Sequence, residues 1–173
     1  MNTNYYKELR NQFLPKEIKT IFIFESPPSN GGYFYNTQGK TSEILFKAIM
    51  QTTLGINPIT KEEGLRKFAE KGFLLVDPIY EPVDKISDKE ADKKIIENYP
   101  NFIFDLKAIT KGDYSIPIIL VKANICRNLE VPLKKDGFNI INNGMIIPFP
   151  LHYHFPEFAN KIESLIKWQQ IKI

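Results

Sequence analysis

The sequence predicts an α/β protein, a three-layer α/β/α arrangement around a central, mostly parallel, four-stranded sheet. Three observations predict it. Short, continuously apolar runs recur along the chain: Ile21-Phe22-Ile23-Phe24, Phe73-Leu74-Leu75-Val76 and Ile118-Ile119-Leu120-Val121. Such runs mark strands buried on both faces. Segments with helical periodicity and helix-capping residues separate them. The first two runs end abruptly in an acid close to a proline, Glu25 before Pro27 and Asp77 before Pro78. Right-handed crossovers bring parallel strand ends to one edge, so the loops after Phe24, Val76, Val121 and Ile147 should line one cleft.

The elements follow in order. Asn4 to Phe13 reads as a short helix ahead of the core, and residues 20–25 as the first strand. Residues 26–40 form a long loop with glycines and the rings of Tyr33, Phe34 and Tyr35. A loop of that length inside a compact domain is more often functional than idle. Ile44, Leu45, Ala48 and Ile49 share one face of a helix over 42–53. Thr60-Lys61-Glu62-Glu63 has the form of a capping box and opens a helix to about residue 71, which Gly72 stops. Phe73 to Asp77 is the second strand, and 78–87 a polar loop. Ser87-Asp88-Lys89-Glu90 is a second capping box, for a helix to about Asn98. Pro100 lies at or near the start of the next helix, which turns Phe102, Ile103, Leu106 and Ile109 to the core. Ile116 to Lys122 is the third strand. Ile140-Ile141 and Met145-Ile146-Ile147 supply a fourth, interrupted by Asn142-Asn143-Gly144, a turn signal that permits a hairpin. Phe155-Pro156-Glu157 opens the last helix, which runs to about Gln169.

Composition bounds the function. A chain of 173 residues, 43% apolar and 25% charged, fits one soluble domain spanning 1–173. A net charge of +3 permits nucleic-acid contact without arguing for it. The one cysteine, Cys126, excludes an intramolecular disulfide, an iron–sulfur cluster and a structural zinc site. Neither a signal peptide nor a membrane-spanning run is visible, so a cytoplasmic monomer without cofactor or metal is expected.

The candidate site gathers at the strand ends. Glu25 stands where ligands bind open α/β sheets, with flat rings close behind it. That suggests a pocket for a planar ligand such as a nucleobase. Glu25 can act as a carboxylate beside a developing positive charge, or simply hold the turn by accepting loop amides. Asp77 can face a base edge or cap the Pro78 turn; ionised, it offers acceptors only and suits ring N–H or amino groups. Tyr33, Phe34 and Tyr35 can pack under the loop, but full burial of three consecutive rings is not expected, and at least one should face the cleft. His152 and His154 lack a third ligand for a metal and read as a partly exposed pair near a helix start. Leu151 and Tyr153 can form an apolar wedge. Lys122, Arg127, Lys134 and Lys135 are candidate phosphate contacts, or ordinary solvated surface.

Taken in order, these segments resemble the uracil-DNA glycosylase superfamily, most strongly the layout of its thermophilic bacterial and archaeal branch. There a first strand ends in Gly-Glu-Ala-Pro-Gly; here Glu25-Ser26-Pro27 matches its centre, with Phe24 and Pro28 replacing the flanking glycines. The family's base-stacking Phe corresponds to Phe34 or Tyr35, followed by Gly39 and the 42–53 helix. Its second strand ends in an Asn that hydrogen-bonds the base; Asp77 stands there. Tyr80-Glu81-Pro82 and the 87–98 helix resemble the next elements, and Ile118 to Val121 the central strand. The family's catalytic His motif corresponds to Pro148-Phe149-Pro150-Leu151-His152, where Ile147 or Phe149 takes the His position. His152 or His154 can substitute if the loop folds back.

The resemblance covers most of the chain, without the cluster-binding cysteines of that branch. It implies a DNA-repair-type glycosylase relative that extrudes a base. Glu25 and His152 would be catalytic, and Ser26, Phe34, Tyr35 and Asp77 would hold the base. Pro148, Pro150, Leu151, His154 and Arg127 would contact DNA. The alternative is an inactive nucleobase- or nucleic-acid-binding module on the same fold. A hydrolase or nucleotide-processing enzyme of another kind lacks its Gly-x-Ser-x-Gly elbow or P-loop here.

Overall fold

Buried apolar strands need partners on both edges and cover on both faces, and the chain supplies these in an unexpected way. The computed structural model describes residues 3–171, with side chains from 4 to 167. Among them run helix α1 (Thr3–Asn11), strand β1 (Thr20–Ile23), helix α2 (Ile44–Ile49), helix α3 (Lys61–Glu70) and strand β2 (Phe73–Val76). Helices α4 (Asp88–Glu97) and α5 (Tyr99–Thr110), strand β3 (Ile118–Leu120), and helices α6 (Ala123–Lys135) and α7 (Phe155–Ile171) follow. The strands form a parallel sheet in the order β2-β1-β3, with Ile21 paired to Leu74 on one side and Ile118 on the other. No helix among the described residues is long and apolar enough to cross a membrane.

The sheet has three strands among the described residues, not the four expected. Segment 139–147 does lie along β3, but only Ile140 bridges, to Ile118. Ile118 donates its N–H to Asn139 O (2.9 Å) and accepts from Ile141 N–H (3.0 Å), and Lys122 N–H donates to Ile147 O (2.8 Å). Between them the turn at Asn143 (φ 50°) and Gly144 (φ 81°) interrupts the ladder. There the side chain of Asn142 replaces backbone. It accepts from Leu120 N–H at 2.7 Å and donates to Leu120 O at 2.9 Å. No hairpin forms.

The opposite edge is closed by the same device. The Tyr35 hydroxyl accepts from Leu75 N–H (2.8 Å) and donates to Leu75 O (3.0 Å) on the outer side of β2. A side chain thereby completes each edge, beside the backbone of segment 139–147 on β3, which satisfies buried backbone groups and denies a template to further strands.

Local chemistry explains the helices. Thr60 accepts from Glu63 N–H at the start of α3, and Ser87 with Glu90 completes a reciprocal capping box on α4. Gly72 turns the chain at φ 82° into β2, and its carbonyl accepts from Lys19 and Thr20. The expected 42–53 helix is split: α2 passes into a π-helical turn at Met50–Leu54, which stops at Gly55 (φ 65°). Helix α6 is absent from the sequence reading. Pro132 in its last turn argues against a helix there, yet Ile125, Cys126, Leu129 and Leu133 bury one face of it.

Candidate functional site

The loops at the carboxyl edge of the sheet enclose a cavity of about 470 Å³. It collects residues from every strand end: Phe24, Glu25 and Ser26 after β1, Asp77 after β2 and Lys122 after β3. Tyr33 and Phe34 wall it from the long loop, and Phe149 and Leu151 from the segment before α7. The walls are mostly apolar, and the polar groups sit at the strand ends. Cavities of this size and character hold small molecules.

Glu25 is held by two donors. Lys122 Nζ forms an ion pair with its Oε2, and Asn124 Nδ2 donates to its Oε1 at 2.6 Å. Asn124 Nδ2 also reaches Asp92 Oδ1 at 3.2 Å. The turn from β3 into α6 makes this possible. Lys122 adopts φ 81°, ψ 135°, a backbone conformation that residues other than glycine rarely take, and stands at the N-terminal boundary of α6 without a side-chain capping bond. Such a backbone costs about 1–3 kcal/mol. It sends the lysine side chain to Glu25 and sets Asn124 in the first helical turn, where the helix end also favours a carboxylate.

Asp77 is the buried acid of the cavity, 3% exposed. Burial pushes its carboxyl up to about 7, with Arg10 opposing and Glu25 adding to the rise. Four carboxylates line the cavity: Glu25, Glu43, Asp77 and Asp84. Glu43 takes Lys61 Nζ (2.8 Å) and Lys40 N–H (2.9 Å). Asp84 takes the N–H and hydroxyl of Ser29 at 3.1 and 2.8 Å. Glu25 takes Lys122 and Asn124. Asp77 accepts no hydrogen bond from the described residues. A second cavity, about 360 Å³, shares Asp77 as a wall and continues along Tyr80, Asn98 and Asp105.

Behind Asp77 lies a buried cation. Arg10, 2% exposed, donates to Asp105 at 2.7 and 3.3 Å and to the Tyr80 hydroxyl at 2.7 Å. Burial disfavours its charge, and the Asp105 pair more than offsets that.

The three loop rings are all buried, at 2%, 2% and 0% exposure, against the expectation for three in a row. Each finds a separate neighbour. Tyr33 meets Tyr6 edge-on at 4.9 Å, Phe34 meets Phe68 at 5.5 Å, and Tyr35 stacks by Phe13 at 6.2 Å. Tyr33 and Phe34 still line the cavity; Tyr35 does not, because its hydroxyl is committed to β2. The Tyr33 hydroxyl is buried with no hydrogen-bond partner among the described residues, and burial, then Asp77, push it well above the usual phenol range. Its carbonyl is pinned by the fully buried Lys61 Nζ at 2.7 Å.

Of the other expected site residues, Ser26 and Leu151 line the cavity. Pro150 is buried and Pro148 half-buried. His152 is exposed and not part of the lining. His154 packs on Tyr153 at 4.3 Å with Nδ1 3.9 Å from Glu157, also outside the lining. Of the two positions matched to the family's histidine, Phe149 lines the cavity, edge-on to Phe24 at 6.4 Å, and Ile147 is buried. Arg127 is exposed on α6, and Lys134 pairs with Glu130. No group of three or more metal-ligating side chains is present among the described residues.

Sequence reasoning missed Asn124 and the Arg10–Asp105 pair, and offered Lys122 as a phosphate contact or ordinary solvated surface, not as the partner of Glu25. The signal for the first was available: Lys122-Ala123-Asn124 directly follows a strand, where ligand-facing groups gather. No family model, no curated protein and no solved structure matches this chain.

Proposed function

We propose that the cavity binds a nucleobase, and that the protein is a DNA N-glycosylase relative with a three-layer, glycosylase-like arrangement of its helices and sheet. One observation carries the reading: Glu25 and Asp77 face a single, mostly apolar cavity walled by Phe34. A base extruded from DNA would lie against Phe34 with its polar edge at Asp77. The sugar would then come to Glu25. In the reaction the C1′–N bond breaks and its electron pair leaves with the base. The sugar passes through an oxocarbenium-like state, which the Glu25 carboxylate stabilises; water adds at C1′, and the proton it loses ends on the departing base. Lys122 and Asn124 position Glu25 for this.

Incubation with single- and double-stranded oligonucleotides carrying uracil, hypoxanthine or xanthine tests the activity. Abasic product from one of them, lost in Glu25→Gln, is the expected result. Absence of product from all of them overturns the catalytic reading. A binding-only module is the second reading, favoured by the exposure of His152 and the apolar Phe149 wall. Tight binding of a nucleoside or lesion-bearing oligonucleotide without turnover would establish it.

A further inference from the structure

The cavity's acids differ in one respect that bears on which base it takes. Glu25, Glu43 and Asp84 each have donors supplied by the protein. Asp77, 97% removed from solvent, has none among the described residues and stands at the wall common to two cavities. A buried polar group without a partner costs free energy unless something completes it. Its carboxyl oxygens open onto the cavity, where a ligand can supply the hydrogen-bond partner that the protein does not.

We propose that Asp77 is the specificity-determining group of this cavity. As a neutral acid it donates its O–H to a ring carbonyl and accepts the adjacent ring N–H, the lactam edge shared by uracil and hypoxanthine. As a carboxylate it repels that carbonyl and accepts only paired N–H donors, such as the N1–H and 2-amino group of guanine. The proposal rests on the base-binding reading above. It also answers a difficulty in the sequence. A neutral acid presents one donor and one acceptor, the same pair that an Asn presents.

The charged and titratable surroundings set the balance between the two forms. Glu25 at the end of β1 opposes the carboxylate, and Arg10 on α1 favours it, tempered by its partner Asp105 on α5. Tyr33 and Tyr35 from the long loop and Tyr80 beyond β2 are held neutral by burial. Lys122, Glu43 and Asp84 line the same cavity, and Lys7 and Glu81 the second one. With the carboxyl near 7, the neutral form predominates at pH 6 and the carboxylate at pH 8.

The test is nucleoside affinity by titration calorimetry between pH 6 and pH 8, on the full chain and on Asp77→Asn. The probes are deoxyuridine, deoxyinosine and deoxyguanosine. For the parent, deoxyuridine and deoxyinosine should bind about tenfold more weakly at pH 8 than at pH 6, and deoxyguanosine should change less than about threefold. Asp77→Asn keeps a donor and an acceptor at every pH. Its affinity for deoxyuridine should be flat and stay within about threefold of the parent's pH 6 value. A flat parent profile for deoxyuridine and deoxyinosine overturns the proposal and leaves base binding standing. So does an Asp77→Asn profile as steep as the parent's. If none of the three nucleosides binds at any pH, the base-binding reading falls and this inference with it. The parent's own profile needs no variant, so a folding defect in Asp77→Asn does not remove the test.

Discussion

The buried acid should also be visible in stability, with no ligand present. Consider Asp77→Asn, which keeps the shape and removes the ionisation. In the folded chain the Asp77 carboxyl is raised from 3.8 to about 7 by burial, so the folded state holds the proton more tightly than the unfolded one. Below about pH 4 both states are protonated and the carboxyl is without cost. As pH rises toward 7 the unfolded chain gains by ionising and the folded chain does not, so stability falls. Above pH 7 both are ionised and the loss is complete. At 1.36 kcal/mol per pH unit it reaches on the order of 4 kcal/mol. Asn has no such dependence. Between pH 5 and pH 8 the advantage of the variant over the parent should therefore widen by about 2.5 kcal/mol. Urea unfolding followed by far-ultraviolet circular dichroism at both pH values measures it. Any constant effect of the substitution cancels in the comparison. An advantage that is the same at both pH values, within about 0.5 kcal/mol, would refute the argument. One that shrinks with pH would mean that the carboxylate has a donor in the native state.

Glu25→Gln should lower single-turnover release of a base by at least about 10²-fold, while nucleoside affinity changes less than threefold, because the carboxylate acts on charge that develops at the sugar. Equal losses of binding and turnover would make it a binding group instead. Tyr35→Phe strips the hydroxyl that serves Leu75 N–H and C=O and leaves two buried backbone groups unmet. Its urea midpoint should fall by the equivalent of about 2–4 kcal/mol, and a loss below about 1 kcal/mol would show that β2 is not sealed this way. Asn142→Ala should cost a similar amount, again about 2–4 kcal/mol, since Leu120 loses the amide that serves both its N–H and its carbonyl. Hydrogen exchange at the Leu120 amide checks the cause: it should accelerate in the variant, and an unchanged rate would point elsewhere.

The two sheet edges also show where sequence reading stops. Ile21 to Phe24, Phe73 to Val76 and Ile118 to Val121 are apolar at every position, and that pattern reports burial on both faces. It fixes three strands and their parallel sense, and so the edge where Glu25, Asp77 and Lys122 emerge. Leu151 and Phe34 reach the same cavity because the segments that carry them return to that edge. Periodicity says which face a residue shows, but not which distant group it meets. Asn142-Asn143-Gly144 reads as a turn, and it is one; nothing in the pattern shows that the Asn142 amide stands in for strand backbone. Tyr35 looks like a stacking ring until its hydroxyl is seen bridging Leu75. Asn124 meets Glu25 across the whole length of the β1-to-α6 connection, and only the folded chain brings them to 2.6 Å.

The charge of the cavity bears on what enters it. Glu25, Glu43, Asp77 and Asp84 line it, and Lys122 is the cation among the lining residues. Lys122 is paired with Glu25, which opposes its taking a phosphate. The lining holds more acids than bases. A neutral base can enter, and positive charge growing on a sugar is stabilised, but a phosphate dianion is opposed in a low-dielectric space. On the proposed reading, the phosphates of a bound strand stay at the rim, and only base and sugar pass inside. Deoxyuridine should accordingly bind more tightly than its 5′-monophosphate, by at least about fivefold or about 1 kcal/mol at low salt, with the difference shrinking as salt is raised. If the monophosphate binds more tightly, the cavity accommodates phosphate, and Glu25 is then badly placed to face a sugar.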